Sequence, residues 1–237
     1  MPEGKTIVVL GIARSGTSMT TGLLEQFGIH VAKNEPTEKQ LQFNAKGCFE
    51  CKHMFVMYQI QKEIGISYCP NKIAQATRKH IYGIKTSIQR AAEGHSIWGF
   101  KSLGVEALDV ILPFLNNPHI ILTTRSASDH ARAYQAYQAA SSKDVRPITE
   151  SLFDVANGNK RVCEVIRRNA QYPHYLTSYE SIRKNPVQEA KNLAQFIGIE
   201  IIEEMIVKVQ DFIDPRLRSW RNDGLNKGVY KKPTEPI

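Results

Sequence analysis

An α/β fold, with a parallel sheet flanked by helices in three layers, is what this 237-residue sequence predicts. Three observations carry that expectation. Short apolar runs alternate with longer stretches of helical period, as in strands joined by helical crossovers. The first run ends in a glycine-bearing turn, GIARSGTS at residues 11–18, ahead of an amphipathic stretch. The next two strand-like runs lead straight into basic residues, at the carboxyl edge where open α/β sheets bind ligands.

Each element follows in order. Residues 5–10 (KTIVVL) form a run rich in β-branched residues, read as a strand buried on both faces. Residues 17–27 read as the helix after it, and 32–46 as a polar, turn-rich segment. Helical spacing covers 50–64 and 73–92. SIWGFK, residues 96–101, is a second strand, with Trp98 and Phe100 as core residues, and a helix over 105–114 follows. HIILTT, 119–124, is a third strand running into Arg125, with helices expected over 128–140 and 148–169. PHYLTS, 173–178, is a fourth, followed by helices at 187–197 and 200–212 and a tail rich in Gly, Asn and Lys. Strands separated by helices imply right-handed crossovers and parallel pairing. The chain, 1–237, reads as one domain with a helical insertion at about 34–95.

Composition narrows the partners. The formal net charge of +8 favours an anionic ligand. Zinc-finger spacing, a basic zipper and an RNA-binding aromatic signature are all missing, so no specific nucleic-acid binding is expected. No run reaches the ~18 apolar residues of a membrane span. The apolar run near the N-terminus is too short for a secretory signal, and a cytoplasmic protein is expected. Of the four cysteines, Cys48 and Cys51 form a C-x-x-C with His53 close behind, and Cys69 could complete a zinc set. The second close pair of such sites is missing, so reduced thiols and no metal are expected.

The chemistry concentrates at the strand ends. Gly11, Gly16 and Ser18 keep the frame of a nucleotide-triphosphate loop, G-x-x-x-x-G-K-S/T, but Thr17 stands in place of the lysine. The loop's cation is Arg14. Amides of such a turn, with the helix N-terminus behind it, cradle a tetrahedral anion. Ser15, Thr17 and Ser18 add hydroxyls, and Arg14 adds a charged fork. A Ser/Thr-capped turn with no ligand is the alternative. The second strand ends at Lys101, and Arg125 follows the third. No apolar strand ends in the aspartate that holds magnesium in kinases and NTPases. Two neighbouring junctions that each present an arginine suit a ligand with two separated phosphate-like groups.

In these motifs the sequence resembles the sulfotransferases that use 3′-phosphoadenosine 5′-phosphosulfate, in their bacterial-like, P-loop form. Arg14-Ser15-Gly16-Thr17-Ser18 is similar to their K/R-S-G-T-T/S loop, which binds the 5′-phosphosulfate. Arg125 is similar to the arginine that holds the 3′-phosphate. SYESIRKNPVQEAKNLAQFIGI, with Tyr179 and Glu180, looks like their Y-E segment. NAKGCFE, ending at Glu50, and WGFK, ending at Lys101, look like two bacterial motifs. The likeness spans about residues 5–200 in the family's order. It departs at Ala133, where the family has a serine eight residues after the arginine, and at Lys101-Ser102-Leu103-Gly104, where relatives read K-D-P-R. The closing R-K-G element is only suggested by Arg221 and Lys227-Gly228.

The resemblance implies transfer of a sulfuryl group to a hydroxyl or amine of an unidentified acceptor, with a carbohydrate as one candidate, leaving 3′,5′-adenosine bisphosphate and needing no metal. Arg14 and the loop amides would stabilise the departing phosphate, and Lys101 the sulfuryl or bridging oxygen. Glu50 is the preferred general base, with His53 and His95 as alternatives. Tyr179 would lie by the adenine or a phosphate. Two other readings stay open: a magnesium-dependent P-loop kinase, and a non-catalytic polyanion-binding module on the same fold.

Overall fold

The computed structural model describes residues 4–35, 48–102, 104–140 and 145–213. A five-stranded parallel sheet runs through it in the order β2-β3-β1-β4-β5. The strands are β1 (Lys5–Leu10), β2 (His30–Val31), β3 (Ile97–Lys101), β4 (Pro118–Thr124) and β5 (His174–Ser178). The central strand β1 aligns Val9 with Lys101 on one side and Leu10 with Leu122 on the other. Its neighbours therefore bring their carboxyl ends level with the glycine turn. The chain leaves β1 and β3 towards opposite sides of the sheet, which opens a crevice at that edge.

Alternation along β1 builds two cores. Ile7 and Val9 face a cluster containing Leu23, Leu24, Phe27, Leu193 and Val209. Val8 and Leu10 face a second, containing Met57, Ile60, Phe100, Leu108 and Val165. All four β1 side chains are inaccessible to solvent, and each contributes about 1.5–3 kcal/mol of burial free energy. On the first face lie α1 (Thr17–Gln26), α7 (Tyr179–Lys184), α8 (Pro186–Ile197) and α9 (Glu203–Phe212). On the second lie α2 (Val56–Ile64), α3 (Pro70–Ala92), α4 (Leu108–Ile111) and α6 (Ile148–Arg168). Helix α5 (Ala127–Ala140) leads out of β4 and packs on α6. This is the three-layer α/β fold read from the sequence.

Several boundaries differ from that reading, each for a physical reason. Strand β2 has two residues, too few to show alternation, and it pairs His30 with Trp98 and Val31 with Gly99. Residues 48–51 are extended, a 3-10 turn covers Lys52–Phe55, and α2 begins only at Val56. Glu50 therefore precedes the helix and is not a first-turn residue. Apolar spacing ran through the junction because Cys51, Met54 and Val56 all enter the core. The stretch 105–114 holds only the four-residue α4 and a 3-10 turn, Leu112–Phe114, because Pro113 removes a helical N–H. Tyr179 opens α7, capped by the Ser178 hydroxyl on the Ser181 N–H at 2.9 Å. The basic tail beyond 213, Leu103 and the first four residues of NAKGCFE lie outside the described residues.

Candidate functional site

The turn after β1 takes its shape from the backbone. Gly11 lies where a Cβ would meet the Thr123 carbonyl at 2.6 Å and Ser15 Oγ at 2.5 Å. Only glycine lets the turn sit that close to β4. Arg14 adopts φ 71° and Gly16 φ 106°. A non-glycine residue in the left-handed region costs about 1–3 kcal/mol and persists only where surrounding contacts hold it. Ser15 N–H donates to the Ile12 carbonyl at 3.1 Å, closing the turn. Helix α1 then starts from Gly16 with no side-chain cap. Met19 N–H donates to the Gly16 carbonyl at 2.9 Å; with no side chain capping them, the amides ahead of it can serve an anion or water, and the capped-turn alternative loses its cap.

The hydroxyls divide. Ser15 Oγ is fully buried and has no hydrogen-bond partner among the described residues. Ser18 Oγ donates to the Cys48 carbonyl at 3.1 Å. Thr17 is buried with its methyl against the Gly11 site. Lys101 Nζ donates to that same Cys48 carbonyl and to Glu50 Oε1 at 3.2 Å. The Lys101 side chain is 11 % exposed and that of Glu50 47 %, so the ammonium is mostly covered and the carboxylate opens to water. Segment 48–50 is tied in this way to both the turn and β3. The Cys48 thiol is pushed up by burial, opposed by Lys101.

The second turn, after β4, is held by side chains. Arg125 lies 4.4 Å from the centroid of the Tyr179 ring. The same ring edge is 3.0 Å from where a Cβ on Gly16 would sit. Glu180 Oε1 accepts from the Ser126 N–H at 3.0 Å. The Arg125 Nε is buried and has no hydrogen-bond partner among the described residues. Arg14 lies 5.8 Å from the Tyr137 ring on α5. Burial, and then the charge of Arg125, pull the Arg14 guanidinium below its ordinary range, against Cys48 and two tyrosines that raise it. The Arg14 and Arg125 guanidiniums lie close enough to act on each other's charge and share one partly buried space. Such a space favours a ligand that carries negative charge.

Thus Arg14, Ser15, Gly16, Thr17, Ser18, Arg125 and Tyr179 come together at the carboxyl edge, with Lys101 and Glu50 beside Ser18. His53 sits half-buried in the 3-10 turn behind Glu50. His95 does not join them. It is exposed, precedes β3 at the opposite edge of the sheet, and stacks on His30 at 4.3 Å. Ala133 is buried on α5, and the exposed Ser126 and Ser128 lie closer to Arg125 in the chain. No group of three or more His, Cys, Asp or Glu among the described residues could hold a metal. No described helix is long and apolar enough to cross a membrane.

Sequence reasoning missed His130. Its Nε2 contacts the Ala13 carbonyl at 2.6 Å, and motif spacing has no signal for a link between two turns 117 residues apart. Beside that contact a cavity of about 550 Å3 opens, lined by Ile12, Ala13, His130, Tyr134, Val155 and Gly158 among others.

The sequence profile of the sulfotransferase domain matches residues 5–219. Among curated proteins, no sequence matches the chain significantly. Among solved structures, the fold is similar to the sulfotransferase domain from the curacin biosynthetic pathway, at 16 % identity and a TM-score of 0.50, over 86 % of this chain and 77 % of that one. It is also similar to sulfotransferase STF9 from Mycobacterium avium, at 9 % identity and a TM-score of 0.52, over 90 % and 68 %. At such identities the structures speak to the fold alone. The profile spans nearly the whole chain, and by it the chain belongs to the sulfotransferase domain family.

Proposed function

We propose that the protein moves a sulfuryl group from 3′-phosphoadenosine 5′-phosphosulfate to a hydroxyl or amine of an acceptor, of which a carbohydrate is one candidate. One observation carries the reading. Two arginine-bearing turns on adjacent strands meet at a single aromatic ring, Tyr179, which touches Gly16 of one and Arg125 of the other. Two cationic turns bridged by a ring suit a nucleotide with two separated anionic groups. The donor set fits as well. Ser15 Oγ and Arg125 Nε are buried and lack hydrogen-bond partners among the described residues, and the uncapped start of α1 offers amides.

When bound, the donor supplies a sulfuryl group on a phosphate leaving group. Arg14, Ser15 and the amides at Gly16, Thr17 and Ser18 hold the 5′ end, and Arg125 holds the 3′-phosphate. Tyr179 orients the nucleotide between them. Lys101 presents its ammonium to the oxygen that gains charge; a preorganised donor of this kind is typically worth ~10²–10³ in turnover. Glu50, water-facing beside Lys101, accepts the proton of the acceptor hydroxyl, with His53 the nearer of the two imidazole alternatives in sequence.

Thermal unfolding with 3′,5′-adenosine bisphosphate, against ADP and against ATP with magnesium, tests this. At ~100 times its dissociation constant a ligand adds about 2.7 kcal/mol. The expected result is a rise in melting temperature with the bisphosphate well above that with the other two. A rise only with ATP and magnesium moves the assignment to a kinase. No rise with any of the three, and salt-sensitive binding to a polyanion, moves it to a non-catalytic module.

A further inference from the structure

His130 stands where the two anion turns meet. It is in the first turn of α5, its own N–H donating to the Ser126 carbonyl at 2.8 Å. Its side chain is 1 % exposed, and Nε2 lies 2.6 Å from the Ala13 carbonyl. A carbonyl only accepts, so Nε2 carries a proton. The other ring nitrogen, Nδ1, is buried with no hydrogen-bond partner among the described residues. A proton there would add a buried, unpaired charge near two arginines. Burial lowers the imidazole from its ordinary value, against the bond to the Ala13 carbonyl, which raises it; Arg125 and Arg14 lower it further, against Glu180. His130 is therefore a neutral Nε2–H donor. The group it holds is the carbonyl immediately before Arg14, whose backbone sits in the left-handed region.

We infer that His130 is a positioning residue: through its bond to the Ala13 carbonyl it fixes Arg14 for anion binding and ties the β1 turn to the helix that follows Arg125. It touches neither ligand nor reacting atoms, and acts through the backbone. The inference rests on the nucleotide reading for what Arg14 binds, but the hydrogen bond itself does not. The bond also forms part of the cavity wall, since Ala13 and His130 both line it.

Three proteins and two readouts test it: wild type, His130→Ala and His130→Gln, by calorimetric titration with 3′,5′-adenosine bisphosphate and by unfolding without ligand. Glutamine places an amide N–H near the Nε2 position, and alanine places none. His130→Ala is expected to bind about tenfold more weakly, the loss of one buried hydrogen bond. His130→Gln is expected within about threefold of wild type. Rescue by glutamine separates positioning from simple core filling, because both variants remove the imidazole and both lower the melting temperature. Equal affinity for His130→Ala and wild type overturns the inference, as does a glutamine variant as weak as alanine at matched stability. The 15N shifts of His130 in the free protein give an arm that needs neither ligand nor variant. The neutral Nε2–H tautomer is expected; an Nδ1–H tautomer or an imidazolium at pH 7 overturns the inference. If wild type binds no bisphosphate, the proposed function fails, and the tautomer still decides the contact.

Discussion

The turns after β1 and β4 present the same chemistry, an arginine at a strand end ahead of a helix, yet they are held by different means. The first is fixed by backbone: left-handed Arg14 and Gly16, a Gly11 with no room for a Cβ, and a carbonyl bound by His130. The second is fixed by side chains: Arg125 on the Tyr179 ring and Ser126 on Glu180. A turn held by backbone puts its amides in one place and tolerates little change. A turn held by side chains can be adjusted one residue at a time.

The largest expected effects separate what the two turns bind. Arg14→Ala should remove the advantage of 3′,5′-adenosine bisphosphate over 3′-AMP, and Arg125→Ala its advantage over 5′-AMP. Each should cost about 10- to 100-fold, the loss of a charge-assisted hydrogen bond. Titration of both variants with all three nucleotides checks this. If both variants lose the same preference, the arginines share one phosphate and the two-turn picture breaks. Next in size is Gly16→Ala. A left-handed alanine costs about 1–2 kcal/mol, and its methyl would sit 3.0 Å from Tyr179. Urea unfolding should show at least that loss. Ser128→Ala, at an exposed position in the first turn of α5, should stay within ~0.5 kcal/mol.

The same contrast explains what was legible in the sequence. The first turn writes its shape in glycines and its charge in Arg14, so motif spacing finds it. Lys101 and Arg125 were legible as the ends of apolar runs, and the pairing of β3 and β4 with β1 brings those ends beside the first turn. Glu180 was visible as a residue after β5, but its bond to Ser126 spans 54 positions and no local period encodes it. His130 was hidden likewise, an ordinary polar residue in a helix start. His95 was eligible by its side chain alone, although the strand read at 96–101 already put it ahead of that strand. The structure puts it before β3, at the wrong edge. Glu50 was read into a helix since apolar spacing cannot tell a 3-10 entry from an α-helix. The two-residue β2 lies below any periodic signal.

Acid should loosen the first turn before the second. Burial holds the His130 imidazole below its ordinary value, and His119 is lowered by burial too. A lowered folded value means that the unfolded chain takes up the proton first as pH falls. The stabilisation is complete above the ordinary imidazole value of about 6.5 and is lost below it. Between pH 7.5 and 5.5 the unfolding free energy should fall, by at most about 1.4 kcal/mol per pH unit for His130. In His130→Gln the slope should be shallower, with His119 supplying what remains. Urea curves at four pH values decide it. An unchanged slope in the variant would mean that His130 charges without penalty and is no fixed part of the turn.

The smallest effect is the sharpest test of the second turn. Glu180→Gln keeps an oxygen for the Ser126 N–H and removes one negative charge from beside Arg125. If side-chain contacts hold this turn through geometry, stability should change by less than ~0.5 kcal/mol, as for exposed charges in general. Affinity for 3′,5′-adenosine bisphosphate should rise, because less of the local positive field is cancelled. The gain should be no more than about threefold and should fade as salt approaches 1 M, where the screening length is about 3 Å. Glu180→Ala, which removes the acceptor as well, should instead lose affinity, since Ser126 and the start of α5 are then released. The pair of variants divides charge from hydrogen bond at one atom. If glutamine behaves like alanine, the turn needs the carboxylate charge itself, and the second turn is as intolerant of change as the first.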